Sequence, residues 1–158
     1  MSSPNRTRRA LLAIAGITGV GVLAKKAQAR HTETHFEETT KHKLVYQCNK
    51  AEYDYIAHIL FSAGEMLREY GDDIEIIVTT FGPGVHLLGK KPGRPVSPVH
   101  QDKVSSLAAY GVSFHACGNT MKSLGWTEKD LLAVAKVVPI GAVDLMLLQE
   151  QGFSYISW

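Results

Sequence analysis

The side chains best suited to nucleophilic chemistry in these 158 residues are two cysteines, Cys48 and Cys117. Cys117 lies in the stretch SFHACGNTM, Ser113 to Met121, where it ends an apolar run and is followed directly by Gly118, Asn119 and Thr120. A thiol that only fills a core sits inside such a run. One that stands where a strand stops and a helix starts meets unpaired backbone N–H groups and the positive end of the helix dipole, which favour thiolate over thiol. The thiolate is the nucleophile, so Cys117 is the candidate catalytic residue. His115, two residues earlier, shares its face of the strand and adds positive charge when protonated. Gly118 opens the turn and Asn119 fixes it. The alternative is a structural cysteine beside a core histidine.

Cys48 ends the run KLVYQC in the same way, but Asn49 follows it and no glycine opens the turn. It is a candidate second thiol, with a small core hydrophobe as the alternative. Two cysteines 69 positions apart form no disulfide framework and no four-cysteine zinc site, and the C-x-x-C of a thioredoxin-type dithiol is missing. A Cys48–Cys117 disulfide switch stays open, provided the first and third strands are adjacent and bring the Cα atoms within about 7 Å. Between the cysteines, Gly82-Pro83-Gly84 permits a close backbone approach, with a rigid turn as the alternative. Lys90, Lys91 and Arg94 follow in a loop. Gly82, Gly84, Lys90 and Arg94 are therefore candidate anion-binding residues.

Several chemistries lack their parts. The turn after the first strand, CNKAE, has no G-x-G-x-x-G, and neither a P-loop nor a G-x-S-x-G nucleophile elbow occurs. No resident cofactor is expected. His31 and His35 are four apart, but with no further ligands beside them they read as a solvated linker, so no metal is expected.

The elements that must position Cys117 follow from periodicity. KLVYQC is a strand, and Asn49 with Glu52 offers a capping box for a helix whose inner face carries Ile56, Ile59, Leu60, Ala63, Leu67 and Tyr70. Gly71 closes that helix. Ile74 to Phe81 is a second strand; a loop then runs to Ser97 and Pro98, which start a helix with Val104, Leu107 and Ala108 inward and Gly111 at its end. VSFHA is the third strand, and a short helical turn to Gly125 follows. Thr127 caps a helix to about Leu132, VAKVV is a fourth strand, 140–151 is helical and FSYIS is a fifth strand. The 140–151 helix is apolar nearly all round, so it is sandwiched within the domain or covered by another subunit. Strands alternating with helices imply an α/β domain with a mostly parallel sheet, whose functional groups collect at the carboxyl ends of the strands.

The first 29 residues read as an export signal: a basic head with Arg8-Arg9, a 15-residue apolar stretch from Ala10 to Ala24, and Ala27-Gln28-Ala29 as a cleavage pattern. The apolar stretch is shorter than the roughly 20 residues a membrane-spanning helix needs, so no stable membrane anchor is expected. The paired arginines resemble signals of the twin-arginine route, an ordinary secretory signal being the alternative. Periplasmic localisation is the expectation. Without the signal the chain carries 12 Lys plus Arg against 15 Asp plus Glu, a net charge of −3, which argues against nucleic-acid binding. Residues 30–42 are a polar lead-in, and 43–158 suffice for one domain.

FGPGV, YGVSFHACGNTM and VVPIGAVDLMLLQEQGFSYI, with the elements between them, resemble the DsrE/DsrF-like family. The resemblance implies a three-layer α/β/α domain with a five-stranded parallel sheet, assembled into trimers or hexamers. It also implies a cysteine at the end of the third strand, here Cys117, that carries sulfane sulfur as a persulfide between a donor and an acceptor protein. Cys48 matches no motif of the family. Two functions are therefore expected in order: a periplasmic sulfur carrier or sulfurtransferase, and second a non-catalytic oligomeric protein that binds a small anion or a partner, with Cys117 structural.

Overall fold

A computed structural model describes residues 40–158. The proposed export signal, most of the polar lead-in, and His31 and His35 lie outside the described residues. Five strands, β1 (His42–Cys48), β2 (Ile74–Thr80), β3 (Ser113–Cys117), β4 (Ala135–Val138) and β5 (Ser154–Ile156), form one sheet in the order β4-β3-β2-β1-β5. Every pairing is parallel. The crossovers carry α1 (Tyr53–Tyr70), α2 (Pro98–Ala109), α3 (Gly118–Ser123) and α4 (Gly141–Glu150).

Alternation along the strands divides the core into two. Leu44, Tyr46 and Cys48 of β1, Ile76 and Val78 of β2, and Phe114 and Ala116 of β3 pack with Ile56, Ile59 and Leu60 of α1, Val104 of α2 and Met121 of α3. On the opposite face Val45 and Ile77 pack against Leu145 and Leu148 of α4 and against Phe153. The sheet is thus the middle of three layers, with α4 the one helix on its second face among the described residues. α4 presents Gly141, Asp144, Leu145 and Leu148 to the sheet, the i, i+3, i+4, i+7 spacing of one helical face. Ile140, beside its start, and Val143, Met146 and Leu147 remain 40–50% exposed. The apolar helix is therefore not sandwiched within the described chain.

Local details depart from expectation for physical reasons. Asn49 does not cap α1, which begins at Tyr53 with Glu52 in the cap position and no side-chain cap bond. The Asn49 amide oxygen instead accepts the Tyr55 hydroxyl at 3.0 Å. Tyr70 leaves the inner face and packs against His42 with the rings tilted, centroids 4.5 Å apart. The segment expected as a loop after β2 begins with a 3₁₀ helix, Gly82–Leu88, because Val85, Leu87 and Leu88 are drawn fully into the core. Thr127 caps only three residues, Glu128–Asp130, in a capping box with Asp130.

Candidate functional site

Cys117 is the last residue of β3 and the cap position of α3, and it points to the α4 side of the sheet. Its neighbours there are tightly set. A Cβ on Gly141 would lie 3.2 Å from the Cys117 Cβ and 3.0 Å from Phe81, so only glycine lets the first turn of α4 approach the sulfur this closely. Gly118 performs a similar service for the other wall, where a Cβ would meet the Val138 and Pro139 carbonyls at 3.2 and 3.3 Å.

Burial and nearby donors act on the thiol in opposite directions. Burial pushes the thiol up, Cys117 being 4% exposed, but the Thr120 hydroxyl and the backbone N–H groups of Gly141, Thr120 and Asn119 outweigh it and hold the thiol below the ordinary cysteine range. The Asn119 N–H is the weakest of the four and is already donated to the Pro139 carbonyl at 3.1 Å, so we count it as shared. The Cys117 side chain makes no capping hydrogen bond to α3. The Thr120 hydroxyl is oriented to donate, because its oxygen accepts the Gly82 N–H at 3.0 Å and its proton is left for the sulfur. Removing this donor should cost roughly 1.5–3 kcal/mol of anion stabilisation. Thr120→Val is therefore expected to slow Cys117 alkylation at pH 7 by about tenfold or more. An unchanged rate would remove Thr120 from the site.

His115 lies on the same face, two residues before the cysteine. Its Nδ1 is 2.8 Å from Asp144 Oδ2, and that carboxylate oxygen also accepts the Thr79 hydroxyl at 2.7 Å. The imidazole is thereby held in one orientation by α4 and β2. Asp144, Thr79, Thr120 and Gly141 were not among the residues expected from sequence. The signals were there: an acid inside an otherwise apolar helix, and a threonine three residues after a strand-end cysteine.

The anion-binding candidates separate. Gly82 and Arg94 line a groove of about 420 Å³ together with His86, Asn119 and Thr120, so this groove opens beside the donors of Cys117. Gly84 is buried, and its missing side chain makes room for the Cys48 carbonyl rather than for a ligand. Lys90 is turned away, its ammonium donating to the Lys129 carbonyl at 2.8 Å. Asn119 fixes the turn through its backbone, whose carbonyl accepts the Ser123 hydroxyl at 3.0 Å.

Cys48 is fully buried in the α1 side of the core, and burial pushes its thiol up to about 12. The disulfide switch fails on topology. β2 lies between β1 and β3, the two cysteines point to opposite faces of the sheet, and both thiols are free. Among the described residues no group of three His, Cys, Asp or Glu side chains is placed to hold a metal, and no helix is long and apolar enough to cross a membrane.

The sequence pattern of the DsrE/DsrF-like family matches residues 42–158, the whole sheet and every helix above. The chain belongs to the DsrE/DsrF-like family. This is a family generally engaged in sulfur relay. Two solved structures share the fold. The protein of unknown function MTH1491 from Methanobacterium thermoautotrophicum is 23% identical with a TM-score of 0.66, and the ychN protein from E. coli is 16% identical with a TM-score of 0.61. Each match covers 74% of this chain and 99% of the other. No curated protein matches the chain. Within this DsrE/DsrF-like domain, the site at the end of β3 is the only one among the described residues that joins a free thiol to converging donors.

Proposed function

We propose that this protein handles sulfane sulfur as a persulfide on Cys117, in the periplasm after export by the twin-arginine route. The observation that carries the reading is the place of Cys117 at the junction of β3 and α3, with Gly118 and Gly141 letting both walls close around it, and the Thr120 hydroxyl and the Gly141 and Thr120 N–H groups favour its charged form. In the loading step the thiolate attacks the outer sulfur of a persulfide or polysulfide. A new S–S bond forms at Cys117, the donor's S–S bond breaks, and the donor leaves as a thiolate with the electron pair. An acceptor thiolate then attacks the outer sulfur of the Cys117 persulfide and restores the Cys117 thiolate, so no net oxidation occurs. His115, oriented by Asp144, supports the negative charge when protonated, and the Arg94 side of the groove receives an anionic donor.

The proposal is tested by sulfur loading. After treatment with polysulfide and removal of excess, cyanide should release about one thiocyanate per chain, and Cys117→Ser should release none. A Cys117→Ser chain that loads normally would contradict the reading. A chain whose Cys117 is inert in a well-formed oligomer would instead be the non-catalytic binding protein.

The exposed side of α4 supports self-assembly, in line with the trimers or hexamers that the family resemblance implies. Val143, Met146 and Leu147, with Ile140 beside them, form an apolar surface that a second copy can bury. Sedimentation equilibrium should give an oligomer at micromolar concentration; a monomer would contradict this assembly.

A further inference from the structure

A second cavity, of about 560 Å³, shares Arg94 and Pro83 with the groove beside Cys117 but opens between the start of α1 and the start of α2. Its volume falls within the roughly 300–1,000 Å³ typical of small-molecule sites. His100 lines it, 4% exposed and packed on Tyr53 with ring centroids 4.4 Å apart. His100 Nδ1 is the one buried side-chain polar atom among the described residues without a hydrogen-bond partner. A buried polar atom left unpaired costs its desolvation and calls for an explanation. Burial, with Lys103 nearby, lowers the pKa of this histidine. The neutral ring then offers one donor and one acceptor nitrogen.

The surrounding charge is mainly positive. Lys50 and Arg94 stand on the wall, and neither is in an ion pair among the described residues. Ser97, at the cap position of the twelve-residue α2, makes no side-chain cap bond, so the positive end of that helix is uncapped where it meets the cavity. Glu52 is the one carboxylate on the wall, and it is exposed. The rest of the lining, Tyr53 and Val96 foremost, is apolar.

We propose that this cavity binds a small organic anion: a carboxylate or sulfonate on a compact body with one further polar group. The acid group meets Arg94, Lys50 and the start of α2, the body packs on Tyr53 and Val96, and the polar group pairs with His100 through Nε2, because Nδ1 has no surface open to the cavity. The site contains no atom of Cys117, but it shares Arg94 and Pro83 with the groove beside it, whereas His100 and Tyr53 belong to this cavity and not to that groove.

The test uses the full mature chain and 4-hydroxybenzoate, with 4-hydroxybenzamide as its uncharged counterpart, by titration calorimetry and by ¹⁵N signals of the His100 ring. One acid should bind per chain, the amide about tenfold or more weaker, and the His100 signals should move on titration. Arg94→Met, at an exposed position, and His100→Phe, which keeps the stack on Tyr53, should each weaken the acid by about tenfold or more. Cys117→Ser should bind it as tightly as the wild type. Absence of binding at millimolar acid, equal binding of the amide, indifference to both cavity variants, or loss of binding in Cys117→Ser would each overturn the proposal. Arg94→Met touches the sulfur-donor groove as well, so His100→Phe, which lies outside that groove, separates the two: it should weaken acid binding and leave sulfur loading unchanged.

Discussion

Iodoacetamide at pH 7 should alkylate one of the two cysteines in the folded protein and leave the other untouched. The two thiols sit at the ends of strands two places apart in the same sheet, yet their surroundings oppose each other. Cys48 is fully buried among Tyr46, Ile56 and Val85 on the α1 side, where burial alone acts on it and pushes its thiol up to about 12. At pH 7 only about one in 10⁵ of such thiols is ionised. Burial acts on Cys117 too, but the Thr120 hydroxyl and the Gly141 and Thr120 N–H groups outweigh it. Since the thiolate is the reacting form, the ratio of rates should exceed about 10³ in favour of Cys117. Its rate should also rise with pH through a midpoint below that of an ordinary cysteine. A folded-state pKa below the unfolded one stabilises the protein above the unfolded thiol's titration, and that contribution is lost as the pH falls through the folded value. Peptide mapping of the alkylated chain reads the outcome, and modification of Cys48 before Cys117 would contradict this account of the two sites.

Gly84→Ala should be among the most damaging single-methyl changes available to the domain. The 3₁₀ helix after β2 lies against the end of β1, and a Cβ on Gly84 would fall 2.6 Å from the Cys48 carbonyl carbon and 3.0 Å from the Asn49 nitrogen. These are backbone atoms of a buried strand and cannot swing aside as a side chain would. Moving them disturbs the Phe81 N–H to Cys48 carbonyl bond at 3.1 Å, which joins β1 to the end of β2. The cost should be about 3 kcal/mol or more, and the melting temperature should fall by roughly 10 °C or more. Gly64→Ala is the matched control. That glycine lies inside α1, its added methyl meets only Leu107 Cδ2 at ordinary contact distance, 3.9 Å, and alanine is the better helix former by up to about 1 kcal/mol. Thermal melts should move in opposite directions for the two variants. A Gly84→Ala chain as stable as the wild type would show that the approach of these two segments is not required.

Periodicity made the fold legible. Strands buried on both faces are short apolar runs, and the glycines after α1 and after α2 end their helices where expected, with Gly71 and Gly111 at φ +57° and +95°. Cys117 and His115 could be placed because a strand end is visible as the point where β-branched and aromatic residues give way to Gly118 and Asn119. What stayed hidden depends on contacts between elements far apart in the chain. Asp144 is separated from His115 by 29 residues and from Thr79 by 65, and no local pattern reveals that α4 carries it across the sheet to both. Lys90 and Arg94 looked equivalent in a charged loop, and only the fold turns one to the Lys129 carbonyl and the other to the groove. In the sequence Gly84 reads as part of a turn open to a ligand, whereas packing against Cys48 is what demands glycine there. The 3₁₀ helix from Gly82 to Leu88 escaped detection because Gly-Pro-Gly marks a turn and the three aliphatic residues after it are too few to show a helical period.

The measurement that bears most directly on the central claim is the intact mass of the protein purified without reductant from its native compartment, before and after exposure to polysulfide. The account predicts a gain of about one sulfur mass that reduction removes, that arises on the mature chain, and that Cys117→Ser does not acquire. An unchanged mass with both thiols free, or the same gain in Cys117→Ser, would contradict it.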